Sequence, residues 1–550
     1  MLRRSLIRGV LPLMAGKLRA QLYVPGPQVT TFFSDVDDSD QPYALYLPRN
    51  LDGAARHPLV ISLHGEDSNH QLNLRRVFGR GNLPGQGEAE APRVFPHMPE
   101  VDCIVACPLA RGTMGYYGIA EKDVYDVVAD VQRRFPVDED RIYLTGLSMG
   151  GGGALRLGLT RPGIWAAIAP VCPEPPAATG ELAPNALNLP VRLFHGDKDP
   201  AVSVEVSRKW QKTLLRLGVN VEYIEYPNVR HNSWDLAYKN GAIFDWFSKY
   251  RRSRFPARVR FVTRAYKYNS AHWVHIDGLT PGELASIDAR FTGDNRIEIA
   301  TAALDGFTLN LAGHPRFRPA SALSISVDGR EHRLRTNGAV SFSKAAAKWS
   351  VERYRPSARE KRPWLEGPIS EAVASRHAYV YGTLDNPSAD ELERRRQAAL
   401  RAAEWSTPRR RLLLSLQAVA DRDLKEANRK GNLVLFGTAA TNRIVAGLRL
   451  PLGLNRGAAD YGLVFTYPAN GRYVVVNSGL AWWTGAEQSR RPGLRYTGAP
   501  ASVLPTFADY ILFKGSLDNV VAEGRFDRNW SLPPADAAKI KMTGAVSIQQ

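Results

Sequence analysis

The run "RIYLTGLSMGGGGALRLG", Arg141 to Gly158, constrains this chain more than any other stretch. Its first half has the pattern of an apolar strand and its second half reads as a helix, with Ser148 at the junction. Gly146-Leu147-Ser148-Met149-Gly150 is a G-x-S-x-G pattern. A strand that turns directly into a helix through a serine needs small residues two places to either side, because those positions pass close to neighbouring backbone. The turn lifts the hydroxyl off the end of a sheet. It also aims the first N–H groups of the helix at the same place, where they favour developing negative charge.

The surrounding pattern supplies such a sheet. Between about Tyr23 and Phe255, "HPLVISLHG", "DCIVACP", "WAAIAPVC", "VRLFHG" and "VEYIEYP" read as strands. "AEKDVYDVVADVQRRF" places Val124, Val127, Val128 and Val131 on one helical face, and "VSRKWQKTLLRLG" is a further helix. Strands alternating with helices predict an α/β unit with a mostly parallel sheet over residues 23–255. A chain of 550 residues exceeds one core, and the pattern changes at the linker-like Arg251–Pro256. Short alternating segments such as "RVRFVTRAY", "RIEIATAAL" and "ALSISVDG" predict a small all-β, sandwich-like module over 256–351. From Glu352 the mixed pattern returns, predicting a second α/β accessory unit over 352–550.

The chain carries a net charge of +18, with arginine clusters at Arg251–Arg260, Arg394–Arg396 and Arg409–Arg411. The second shares its helix with glutamates, as a solvated face does, and no nucleic-acid-binding motif accompanies any of them. No apolar run is long enough to span a bilayer. Cys103, Cys107 and Cys172 fall in apolar strands and read as buried free thiols; no CxxC, HExxH or Walker loop points to a metal or nucleotide. Residues 1–22, with Arg3 and Arg4 before a weakly apolar stretch, read as an export signal, which would place the protein in the periplasm or outside the cell. A basic arm on a cytoplasmic protein is the alternative.

A serine hydroxyl needs a base, and in this architecture the order is serine, acid, histidine. "VRLFHGDKDPAV" ends a strand with Asp197 and Asp199, and "YPNVRHNSWDLAY" follows the next strand with His231. Both lie at C-terminal strand ends, where open α/β sheets bind ligands. Asp199, farther into its loop and followed by Pro200, is the chosen acid; Asp197 is the alternative. The oxyanion donors are expected at the N–H of Met149 and at Glu66 or Gly65, in the loop after "LVISLHG". Tyr116 and Tyr117 in "ARGTMGYYG" are candidate substrate-pocket residues, or else turn tyrosines. His64, His195 and Trp234 read as packing or loop-supporting residues, and Trp273 as a sandwich core residue.

Together "LHGEDSN", "RIYLTGLSMGGGGAL", "AAIAPVC", "HGDKDPAV" and "HNSWDLAY" resemble the α/β-hydrolase domain of the prolyl-oligopeptidase superfamily. The nearest flavour is that of secreted polyhydroxybutyrate-depolymerase and feruloyl-esterase-like esterases. The resemblance covers about the first 250 residues. It implies an α/β-hydrolase fold, a Ser148–Asp199–His231 triad, cleavage of a carboxylic ester or peptide bond, and no cofactor. No blade-length repeat precedes the domain, which favours an esterase over a typical oligopeptidase. The expected partner is a small ester or peptide substrate, free or polymer-linked. Two other readings stand beside it: a catalytically silent hydrolase-fold binding protein, and a glycan- or polymer-binding protein with a basic surface.

Overall fold

The computed structural model describes residues 24–51, 55–81, 95–408, 410–426 and 430–549. The stretch expected to be an export signal or basic arm lies outside the described residues. Among those described, no helix is long and apolar enough to cross a membrane.

The first unit is built on eight strands: β1 Gly26–Ser34, β2 Ser39–Leu47, β3 His57–Leu63, β4 Ile104–Pro108, β5 Val137–Leu147, β6 Ala167–Val171, β7 Val191–Gly196 and β8 Val221–Tyr226. They lie in the order β1-β2-β4-β3-β5-β6-β7-β8. β2 pairs antiparallel with both β1 and β4, and every pairing from β4 to β8 is parallel. The helices that matter for the site are α1 His70–Val77, α2 Ile119–Arg134, α3 Met149–Thr160 and α4 Glu205–Arg216.

The period-two alternation of the strands divides the core between the two faces of the sheet. Tyr43, Leu45, Leu59, Ile61 and Leu63 join one cluster, with Val124, Val127 and Val131 of α2. Ala44, Tyr46, Val60 and Val105 join the other, with Leu74 and Val77 of α1. α4 buries only Ser207, Trp210 and Leu214, a single stripe, whereas α3 is buried almost all round. A helix of small and apolar residues whose one charged side chain is Arg156 suits that burial.

The second unit packs two five-stranded sheets around one core that includes Trp273, Phe291, Phe307 and Trp349. One sheet contains Val274–Leu279 and Leu304–Asn310 and the other Ala285–Gly293 and Arg296–Ala302. Trp273 is buried and its Nε1 donates to the Pro256 carbonyl at 2.8 Å, so its ring is a core element. The third unit has a seven-stranded mixed sheet. Its strands Gln417–Ala420, His377–Tyr381, Asn432–Phe436 and Arg472–Gly479 are mutually parallel, and the remaining three are antiparallel.

The arginine clusters find partners. Arg251 pairs with Asp138, and Arg252 and Arg254 both pair with Asp140, so the linker is fastened to the start of β5. In the helix Ala389–Ala403, Arg394 and Arg395 pair with Glu391, and Arg396 with Glu393, at helical spacing. All three cysteines are free and buried.

Candidate active site

Ser148 stands between β5 and α3 with φ 55° and ψ −118°, a strained conformation for a residue with a side chain. The glycines around it are required by close approach. A Cβ on Gly146 would come within 2.3 Å of the Gly150 carbonyl oxygen, and one on Gly150 within 2.2 Å of that of Leu63. The rest of the run is equally confined, Gly151 by Val171, Gly152 by Glu174 and Gly153 by the ring of Tyr116. The four consecutive glycines let the first turn of α3 sink into the ends of β3 and β6.

β7 and β8 end beside this corner. His231 Nε2 lies 2.9 Å from Ser148 Oγ, and His231 Nδ1 lies 2.7 Å from Asp199 Oδ2. A carboxylate only accepts, so Nδ1 carries the proton and Nε2 presents its lone pair to the serine hydroxyl. Asp199 Oδ1 accepts from the amides of Ala201 (2.8 Å) and Val202 (2.9 Å). Burial pushes the Asp199 carboxyl up, but the bonds from His231 and from those two amides outweigh it and hold it below the usual carboxylate value.

His195 also reaches Asp199. Its Nε2 lies 3.0 Å from the Val202 carbonyl and 3.2 Å from Asp199 Oδ2. Facing two acceptors, Nε2 holds the proton, and Nδ1 accepts from the Ser207 hydroxyl at 2.8 Å. The sequence reads His195 only as a packing or loop-supporting residue; the signal for its bond to the acid is a histidine four residues before the aspartate. Asp197 makes no bond to His231: its amide donates to the Tyr226 carbonyl, and its Oδ1 is buried without a hydrogen-bond partner. Trp234 stands edge-on to the His231 ring at 5.3 Å, with Arg76 over its own ring, and so braces the histidine.

The loops after β3 and β4 form the other wall. A Cβ on Gly65 would meet Leu147 at 2.8 Å and Ser148 Cβ at 3.6 Å, so Gly65 lies directly against the serine. Glu66 follows, with its carboxylate turned toward Arg410 of the third unit. Met149 opens α3, and its N–H belongs to the first turn, whose amides have no partner within the helix. His64 is buried between the carbonyls of Gly65 (2.7 Å) and Leu109 (2.9 Å), tying the two loops together.

The two tyrosines differ. Tyr117 is exposed. Tyr116, expected as a pocket residue, is only 3% exposed: its hydroxyl donates to the His64 carbonyl and its ring fills the space left by Gly153. Its place is therefore corrected from pocket wall to internal brace.

Cys172, Asp199 and His231 bring one ligand-type atom each within 4.8 Å of one another. Asp199 and His231 are already bonded to each other, and burial pushes the Cys172 thiol up to about 12, away from the thiolate that would hold a metal.

Residues 121–239, a span that contains Ser148, Asp199 and His231, match the family model described as phospholipase/carboxylesterase. The first unit is an α/β-hydrolase domain. No curated protein matches the chain significantly. Among solved structures, a thermostable esterase is 25% identical, over 41% of this chain and 63% of its own, with a TM-score of 0.33. The chain thus spans under two thirds of that esterase. A ferulic acid esterase is 16% identical, over 41% of this chain and 98% of its own, with a TM-score of 0.33. An S-formylglutathione hydrolase from Agrobacterium tumefaciens is 16% identical, over 43% and 99%, with a TM-score of 0.32.

Proposed function

We propose that the α/β-hydrolase domain is a serine carboxylesterase. Ser148 is the nucleophile, His231 the general base and then acid, and Asp199 the group that fixes the imidazole. The observation that carries the reading is the continuous bond path from Ser148 Oγ through His231 to Asp199, starting from a serine held in a strained turn. His231 Nε2 takes the hydroxyl proton as Oγ attacks the ester carbonyl. The negative charge on the carbonyl oxygen falls to the N–H of Met149 and to one from Gly65 or Glu66. The imidazolium returns its proton to the leaving alkoxide, and water, deprotonated by the same nitrogen, releases the acid from Ser148. Asp199, kept ionised by its donors, stabilises the imidazolium throughout.

An ester is preferred over a peptide as the substrate class because the matched family description is that of carboxylesterases. A fluorophosphonate probe and p-nitrophenyl acetate test the reading. Labelling and turnover by the wild type, both lost in Ser148→Ala with folding intact, are expected. A folded wild type that neither labels nor turns over would instead favour a silent binding protein.

A further inference from the structure

The third unit meets the first at Arg376, which donates to the Asp35 carbonyl and pairs with Asp38, and, nearer Ser148, at residues 410–415. Arg111, in the loop after β4, is fully buried, and all five of its N–H donors are used. Nε donates to Asp123 Oδ2 (2.7 Å) and Nη2 to Ser34 Oγ (2.5 Å) and Asp123 Oδ1 (3.4 Å). Nη1 donates to Asp37 Oδ2 (2.8 Å) and to the carbonyl of Leu413 (3.0 Å), 302 residues away. The contact is reciprocal, since the Leu413 amide donates to the Arg111 carbonyl, and the Ser415 amide donates to Asp37. The 410–415 segment is thus part of the internal structure of the β4 loop.

That loop is tied to the β3 loop by the Asp67 amide, which donates to Thr113 Oγ1 at 3.1 Å. The segment reaches the β3 loop directly as well, through the ion pair of Arg410 with Glu66. Glu66 follows Gly65, the residue packed against Ser148, so its carboxylate sits on the loop expected to receive the oxyanion. A carboxylate there opposes the charge that develops on the substrate oxygen unless a cation neutralises it.

We propose that Arg410 is a positioning residue for catalysis at Ser148: it holds the Glu66 carboxylate aside and neutralises it, so that the third unit completes the oxyanion wall of the first. The inference rests on the esterase reading. Arg410 and Glu66 are both partly exposed, so their pair adds little to global stability. Its effect belongs in the rate.

The test uses the full chain with Arg410→Ala, Arg410→Lys, Glu66→Gln and the double variant Glu66→Gln/Arg410→Ala. It reads p-nitrophenyl acetate kinetics, fluorophosphonate labelling rate and amide exchange over residues 64–68. Arg410→Ala is expected to lower kcat by roughly tenfold with KM nearly unchanged. Arg410→Lys should keep most activity. The double variant should recover kcat, because the charge that Arg410 offsets is gone. An active wild type with Arg410→Ala at wild-type kcat overturns the inference and leaves the esterase reading intact, and so does a defect that Glu66→Gln fails to relieve. If the wild type neither labels nor turns over, the esterase reading falls, and exchange decides the positioning: faster exchange at 64–68 in Arg410→Ala supports it, unchanged exchange overturns it.

Discussion

The two walls around Ser148 are held in different ways. The histidine wall is self-contained. Asp199, His195, His231 and Trp234 lie within 40 residues of one another, and they bond to each other or to the loops that carry them. The oxyanion wall depends on the rest of the chain: His64 ties β3 to β4, Arg111 ties β4 to β1 and β2, and residues 410–415 tie all of these to the third unit. The first wall holds the groups proposed to move a proton and is built from short loops at adjacent strand ends. The second carries the expected oxyanion amides, which must be held still, and it recruits distant backbone to do so.

The contrast can be broken from either side. Removing the reacting groups should have the largest effect: Ser148→Ala and His231→Ala should each lower kcat for p-nitrophenyl acetate by a factor on the order of 10⁵ to 10⁶. Circular dichroism should report an unchanged fold. Next in size, Asp199→Asn should lower kcat by roughly 10³- to 10⁴-fold by leaving the imidazole in the wrong tautomer. Asp197→Asn, at a residue that does not bond His231, should change kcat little. A severe Asp197→Asn with a mild Asp199→Asn would reverse the assignment.

On the other wall the effect of Arg111 should appear as stability. Burial pushes the Asp123 carboxyl up to about 6 even with Arg111 beside it, so it relies on that partner for its charge. Arg111→Met would strand Asp37 and Asp123 and release Leu413, at a cost of about 3–5 kcal/mol measured by denaturant unfolding. An unchanged unfolding midpoint would show that the Arg111–Leu413 bonds do not fasten the third unit to the first.

A last effect, visible only as a dependence on pH, concerns the junction of the second and third units. Glu366 is buried and accepts from the amides of Tyr266 (2.6 Å) and Lys267 (2.9 Å), yet burial pushes its carboxyl up to about 8. The folded state therefore keeps a proton that the unfolded chain releases near pH 4.5. Stability contributed by this group should fall as pH rises from about 4.5 to about 8, with a slope of at most about 1.4 kcal/mol per pH unit. Glu366→Gln should remove that component from a plot of unfolding free energy against pH.

The comparison also explains what the sequence made legible. The strand pattern, the elbow glycines and the placement of Asp199 and His231 after successive strands are local signals, each written within a dozen residues. The same holds for the sandwich strands and for Trp273. The third unit's part in the site left no such mark. Arg409–Arg411 stood out as a basic cluster, but nothing near it names Glu66, 344 residues away, and the Leu413–Arg111 bonds use backbone atoms that every residue possesses. Tyr116 was misplaced for a related reason: a tyrosine between glycines suits a surface turn equally well, and only the hollow at Gly153 on another element draws its ring inside.

The bond from Arg111 to Leu413 also sets an order of assembly. During synthesis every strand of the first unit's sheet leaves the ribosome long before residue 413 does. Until then one donor of the Arg111 guanidinium lacks the carbonyl it meets in the folded protein. The newborn chain can thus form its sheet early, while the loop wall beside Ser148 is finished late, when a stretch made some 300 residues afterwards arrives.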